Sequence, residues 1–233
     1  MQLYKALAPF QVLSFDLDDT LYDNRPVLLA AEQAMLHSLQ QQLAPELHKP
    51  LDYWSQQRWQ LGQQQPDIRH DIGRWRLLGL EAGLIQLGLA TGKAAKIAEA
   101  AYQAFWQART TISITPEVRR LLQQLASRYQ LVAITNGNAC IQRMGLGDLF
   151  QFSLQAGPDG RMKPFPDLFL AAAKKLQLTP QQILHIGDSH RADVMGALSA
   201  GCQAAWLDHH QSSVPVLPHL RLTQLSQLIK LLG

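Results

Sequence analysis

Two carboxylates stand two residues apart at the end of a short apolar run, Val12-Leu13-Ser14-Phe15-Asp16-Leu17-Asp18-Asp19-Thr20. In extended backbone Asp16 and Asp18 project to the same side. Like charges that close repel unless a cation or a shared proton relieves them. Two chemistries use such a pair: holding a divalent metal, or dividing nucleophile and acid/base duties between two acids. The plain alternative is a polar turn or helix cap after a core strand. Two further apolar runs also end in polar clusters. Leu131-Val132-Ala133-Ile134 leads into Thr135-Asn136-Gly137, and Ile183-Leu184-His185-Ile186 leads into Gly187-Asp188-Ser189. Lys163, in Gly160-Arg161-Met162-Lys163-Pro164, can add one ammonium to the same rim. Together these groups suit metal-assisted phosphoryl transfer. A carboxylate attacks phosphorus, a second carboxyl protonates the leaving oxygen, Mg2+ and Lys neutralise the phosphoryl oxygens, and Thr and amide donors orient them. Hard oxygen ligands favour Mg2+, and no His/Cys cluster competes for a softer metal.

The elements that must position these residues alternate. Asn24 and Pro26 read as a helix start, with Val27, Ala31, Met35, Leu39 and Leu43 along one face and Pro45 and Pro50 closing it. From there to about Gln107 the texture is helical and Gln-rich, with a stripe of Leu77, Leu80, Leu84 and Leu87 and an N-cap expected at Thr91. The Gln runs 40–42 and 63–65 read as solvated faces. Beyond Thr115-Pro116 helices and strands alternate. A helix carries Val118, Leu122 and Leu125; strands are expected at Leu131–Ile134, Phe150–Leu154, Ile183–Ile186 and Ala204–Leu207. Helices are expected from Pro166-Asp167, from about Asp193 to Ala200, and from Thr223 to the end, with a capping box at Thr179-Pro180-Gln181-Gln182. This pattern implies a Rossmann-like, doubly wound, mainly parallel α/β sheet interrupted after its first strand by a helical insertion. The core falls in residues 1–22 and 112–233 and the insertion in 23–111. In such sheets ligands bind outside the C-terminal ends of the strands, where all three polar clusters fall.

Bulk properties exclude several classes. The 233 residues hold one large α/β domain or a core with an insertion, and 47% apolar with 17% charged residues argues against disorder. A net charge of +3 suits an anionic small-molecule substrate, while the lack of a Lys/Arg stripe argues against nucleic acid. No run is long enough to span a membrane, and Pro9, Gln11 and Asp16 break up any signal-peptide pattern. Cys140 and Cys202 are expected as free thiols, so a cytoplasmic location is expected. The sequence carries no mark of oligomeric state.

Asp16-Leu17-Asp18-Asp19-Thr20, Thr135-Asn136-Gly137, Lys163-Pro164 and Gly187-Asp188-Ser189 through Asp193 resemble, in order and context, the four motifs of the haloacid dehalogenase-like hydrolase superfamily. The insertion resembles that superfamily's helical C1-type cap. The resemblance implies that Asp16 is the nucleophile and Asp18 the acid/base. Thr135 would bind phosphate through its hydroxyl with support from the Asn136 amide, and Lys163 would steady nucleophile and phosphoryl charge. Asp188 would bind Mg2+ with Asp16 and the Asp18 carbonyl oxygen, and Asp193 would ligate the ion or anchor its surroundings. Asp18 points to a phosphatase or phosphomutase, since superfamily dehalogenases need no acid/base there. Phe15 to Val27, Arg74-Trp75-Arg76, Leu131 to Ala139, Gly145 to Phe152 and Ala156 to Pro164 further resemble a bacterial cytosolic subgroup. Its members hydrolyse flavin mononucleotide and the phosphorylated ribitylaminouracil intermediate of riboflavin synthesis. The alternatives are a sugar phosphomutase of the same fold and a catalytically idle binding protein.

Other polar residues read as structural. Trp54, Trp59, Trp75 and Trp106 fall in the insertion, where one can stack on a flat ring but packing of helices is the ordinary role. Arg74 and Arg76 read as solvated or ion-paired, Asp71 and His70 as surface residues, and His185 as a satisfied core histidine. His190 is expected exposed, Asp19 to serve a turn, and Glu117 and Asp167 to sit at helix starts. His209 and His210 lack further ligands at metal spacing.

Overall fold

A computed structural model describes residues 1–209 and 216–232, so His210 lies outside the described residues. The chain divides into two compact units, Met1–Asp23 with Ser113–Gly233, and Asn24–Ile112.

The first unit holds a seven-stranded sheet: β1 (Gln2–Leu3), β2 (Val12–Phe15), β3 (Gln130–Thr135), β4 (Phe150–Gln155), β5 (Ile183–Gly187), β6 (Gln203–Leu207) and β7 (Leu220–Leu222). Their order across the sheet is β1-β7-β6-β5-β2-β3-β4, and among the described residues only β1 against β7 is antiparallel. Continuous apolar runs such as Val12-Leu13-Ser14-Phe15 are buried throughout because both sheet faces are covered. The chain winds outward from β2 through β3 to β4, then returns to place β5 on the other side of β2. The topological switch point therefore lies at β2 and β5. The short edge strands β1 and β7 have too few residues to show a periodic pattern, and the helical unit follows β2 because β1 precedes it.

Helix α5 (Pro116–Ala126) is capped by Thr115, whose hydroxyl accepts from the Val118 N–H at 3.4 Å. Helix α6 (Asp167–Leu176) packs Leu168, Phe169, Ala172 and Ala173 onto the sheet. The expected capping box at Thr179 and Gln182 is present. The helix expected from Asp193 begins earlier. Ser189 caps a wide turn over His190–Met195, in which the Val194 N–H reaches back to the Ser189 carbonyl, before α7 (Gly196–Ser199). The C-terminal segment Leu225–Leu232 is a tight 3-10 helix, preceded by Thr223, which exchanges two hydrogen bonds with Gln227.

The second unit packs α1 (Asn24–Gln42), α2 (Leu51–Gln64), α3 (Ile72–Gln86) and α4 (Thr91–Arg109) around Ala31, Met35, Leu39, Trp54, Leu84 and Phe105. Trp54 is part of this core while Trp59 is exposed. The Trp75 Nε1 donates to the Arg58 carbonyl at 2.6 Å. Thr91 is the first helical residue rather than the cap. Ala90 occupies that position, so no side chain caps α4. Asp71 has a definite role as the N-cap of α3, accepting from the Arg74 N–H at 2.9 Å. Arg76, expected solvated or ion-paired, is ion-paired with Glu32 at 3.9 Å and buried, with its guanidinium 3.8 Å from the Phe105 ring centre. Among the described residues no helix is long and apolar enough to cross a membrane.

Candidate active site

In the parallel register Phe15 of β2 lies beside Ala133 of β3 and Ile186 of β5. The residues just past these positions therefore emerge at one rim, and Asp16 extends the ladder by donating its N–H to the Ile186 carbonyl at 2.9 Å. Asp16, Lys163, Asp188 and Asp193 come together there, with Thr135 and Asn136 adjoining.

Lys163 organises the cluster. Its ammonium is buried and donates to Asp16 Oδ1 at 2.7 Å, Asp193 Oδ1 at 2.6 Å and the Ile134 carbonyl at 2.7 Å. All three ammonium hydrogens are used. Burial opposes its charge, yet the carboxylates of Asp16 and Asp193 outweigh burial and raise its pKa above the ordinary lysine value. Asp193 is held below the carboxylate range: burial works against ionisation, but Lys163 and a hydrogen bond from His185 prevail. Asp16 moves the other way. Burial, reinforced by the Asp193 charge, raises it well above its usual value despite Lys163. One ammonium serves two buried acids, and Asp193 is the better served.

A second layer holds Asp193. Its Oδ1 lies 3.1 Å from His185 Nε2 and its Oδ2 accepts from the Ser189 N–H at 2.9 Å. A carboxylate only accepts, so His185 carries its proton on Nε2, and Nδ1 accepts from the Ser14 hydroxyl at 2.9 Å. Burial lowers the His185 pKa, which keeps the ring neutral. Gly187 makes room for this arrangement: a Cβ there would lie 2.2 Å from Asp193 Cγ. Asn136 clamps the lysine loop, donating from Nδ2 to the Lys163 carbonyl at 2.9 Å and accepting from the Lys163 N–H at 2.7 Å. Its side-chain amide is therefore taken up in positioning Lys163. The Arg161 guanidinium forks onto the Asp167 carboxylate at 2.9 and 3.0 Å and ties the same loop to the start of α6. Thr135 is fully buried and its hydroxyl accepts from the Gly137 N–H at 3.0 Å.

Asp188 and Asp18 complete the rim. Thr20 donates to Asp188 Oδ1 at 3.3 Å, and the Trp206 indole donates to the Asp188 carbonyl at 2.8 Å. Burial, then the Asp193 charge, pushes the Asp188 pKa up to about 6. Asp18 is half-buried and accepts a hydrogen bond from the Tyr22 hydroxyl. Asp19 takes φ +56°, the left-handed turn that lets the chain double back between them. His190, expected exposed, is half-buried, with Nε2 2.8 Å from the Val216 carbonyl and its ring edge against Trp206.

Carboxylate oxygens of Asp16, Asp188 and Asp193 lie within 4.8 Å of one another. Lys163 reaches two of these three acids, and the hard oxygen donors of all three fit a divalent cation such as Mg2+. A cavity of about 540 Å³ adjoins the rim, with Thr20, Tyr22, Asp188, Leu207 and His209 in its wall. A larger hollow of about 720 Å³ sits at the opposite, N-terminal ends of β2 and β3. Among the described residues no carboxylate lines it. Sequence reasoning missed Tyr22, Gly187 and the Ser14 to His185 link. For Gly187 the only signal was a glycine ending a buried strand.

The model of the haloacid dehalogenase-like hydrolase family matches residues 10–201. The chain is 40% identical to the 5-amino-6-(5-phospho-D-ribitylamino)uracil phosphatase YigB of Escherichia coli, over 100% of both chains. It is 32% identical to a phosphoserine phosphatase of Thermus thermophilus over 58% of this chain and 55% of that one. Among solved structures, a 2-haloacid dehalogenase from Pseudomonas syringae superposes with a TM-score of 0.89 at 34% identity, covering 96% of this chain and 98% of that one. The magnesium-bound hydrolase YfnB of Bacillus subtilis, at 19% identity and a TM-score of 0.68 over 97% and 100% of the two chains, shares the fold.

Proposed function

The chain belongs to the haloacid dehalogenase-like hydrolase family, and we propose that it is a Mg2+-dependent phosphatase of small phosphorylated metabolites, acting on 5-amino-6-(5-phospho-D-ribitylamino)uracil. One observation supports the reaction above the rest. Asp16 is held in a buried network by Lys163, while Asp18 stands outside it at the half-buried rim, so two neighbouring acids occupy different environments. Full-length similarity to the Escherichia coli enzyme supports the substrate.

Asp16 attacks phosphorus as nucleophile and forms an aspartyl phosphate. Asp18, oriented by Tyr22, gives a proton to the leaving alcohol and later takes one from the hydrolytic water. Lys163 offsets charge as the phosphoryl group arrives, and Thr135 and the backbone amides after it orient the phosphoryl oxygens. Asp16, Asp188 and the Asp18 carbonyl would hold Mg2+, which when bound supplies Lewis-acid neutralisation of the phosphoryl oxygens. Asp193, with both oxygens engaged, anchors Lys163 and the Ser189 loop. A superfamily dehalogenase needs no second acid at position 18, so Asp18 favours phosphate chemistry. The helical unit, residues Asn24–Ile112, would serve as a C1-type cap that gives selectivity and excludes water, and the enzyme would work in the cytoplasm.

Phosphate release from the ribitylaminouracil phosphate, flavin mononucleotide and simple sugar phosphates, with Mg2+ and with EDTA, tests this reading. The ribitylaminouracil phosphate is expected to give the highest kcat/KM, and EDTA to abolish turnover. A flat ranking across the panel would remove the substrate, and EDTA-resistant turnover would remove the metal.

A further inference from the structure

A second buried polar cluster lies within the helical unit. Arg76 is 8% exposed, and its carboxylate neighbour Glu32 stands 3.9 Å away, beyond hydrogen-bond reach. Among the described residues its guanidinium donates no hydrogen bond to protein; its close contact is the Phe105 ring. Arg76 lines a small, partly open cavity of about 10 Å³ with Arg58, Ser55, Trp54, Met35 and Leu80, room for a single small guest. The Arg58 guanidinium packs 5.3 Å from the Trp75 ring centre.

Charge is unbalanced here. Two guanidinium groups, those of Arg58 and Arg76, face the single carboxylate of Glu32. Burial, and then repulsion from Arg58, pulls the Arg76 pKa down to about 9, far below the value an arginine keeps when well paired. Two like charges facing one carboxylate across a small cavity favour an anionic guest. We propose that the Ser55–Arg58–Arg76 cavity of the helical unit is a binding site for one small anion, either a halide ion or a single anionic oxygen of an oxyanion. Two guanidinium groups and one hydroxyl supply donors, and the Trp54, Met35 and Leu80 walls exclude bulkier guests. This site is independent of the phosphatase reading.

The test uses the full chain. Thermal unfolding is followed in sodium gluconate, then in sodium chloride, sodium bromide or sodium phosphate at matched ionic strength. A small anion is expected to raise Tm by about 2–4 °C at saturation in the wild type. The rise is expected to vanish in Arg76→Gln and in the half-buried Arg58→Gln, the second variant carrying the test if the first fails to fold. A halide response assigns a halide, and a phosphate-only response assigns an oxyanion; both support the site. In crystals soaked in bromide, a halide site shows an anomalous peak beside Arg76. No anion-specific shift in the wild type, or a shift retained in both variants, overturns the proposal. Asp16→Asn, which removes turnover under the phosphatase reading, leaves the anion response in place, so the two ideas fail separately.

Discussion

The two units each bury a cluster of charge, and they do so in opposite ways. In the sheet unit every hydrogen of the Lys163 ammonium has an acceptor and the cluster carries excess negative charge. In the helical unit Arg76 has a 3.9 Å neighbour and an aromatic ring, and the cluster carries excess positive charge. The first arrangement is pre-organised: Asn136, Ser189 and His185 fix its members before any substrate arrives. The second lacks such supports. A buried ion pair is worth little compared with an apolar replacement, but breaking one side of it is costly. The same kind of substitution should therefore have opposite consequences in the two places.

The largest effect is expected at Lys163. Lys163→Met leaves Asp16 and Asp193 uncompensated and should cost about 3–5 kcal/mol in denaturant unfolding. It should also lower turnover by roughly two to three orders of magnitude. A loss under about 1 kcal/mol would mean the network is not paired as described.

Gly187→Ala comes next. The added methyl displaces Asp193, so turnover should collapse while stability falls by about 1–3 kcal/mol. Retention of wild-type kcat would show that Asp193 need not sit where it does.

Asp188 gives a pH signature. Its folded-state value of about 6 exceeds the reference of 3.8, so the folded state keeps this proton longer than the unfolded chain. In EDTA, the stability of wild type relative to Asp188→Asn should therefore decline as pH rises through that window. Added Mg2+ should restore it at neutral pH. A difference that stays flat with pH would remove the assigned burial effect.

Ser14→Ala, which deletes only the donor to His185 Nδ1, should cost about 1 kcal/mol, with turnover little changed. Arg76→Met, in halide-free buffer, should fall within about 1 kcal/mol of wild type or gain stability. A loss as large as that at Lys163 would erase the contrast between the units.

The rim was legible because parallel strands reveal themselves as apolar runs and each ended in its own polar cluster. Asp16, Thr135 and Asp188 needed only the rule that such ends share an edge. The links between them were not legible. Lys163 meets Asp16 across 147 positions, and the Ser14 to His185 bond spans 171. Such pairs follow from strand order, which local pattern does not encode. Tyr22 was hidden because its role depends on the turn made possible by Asp19 at positive φ. Arg76 was legible in part: the expected ion pairing is met by Glu32 at 3.9 Å, while its burial against Phe105 follows from tertiary packing that local pattern does not show. Thr91 likewise has the chemistry of a cap, but the chain enters α4 one residue earlier, with Ala90 extended at φ −61° and ψ 141°.

The most direct trial of the central claim is an acid-quenched single turnover of the ribitylaminouracil phosphate by Asp18→Asn with Mg2+, followed by peptide mass mapping. With its acid/base removed the enzyme should accumulate one phosphoryl group on the peptide that carries Asp16, and Asp16→Asn should accumulate none. A phosphoryl group on another residue, or full substrate hydrolysis by Asp16→Asn, would contradict the account.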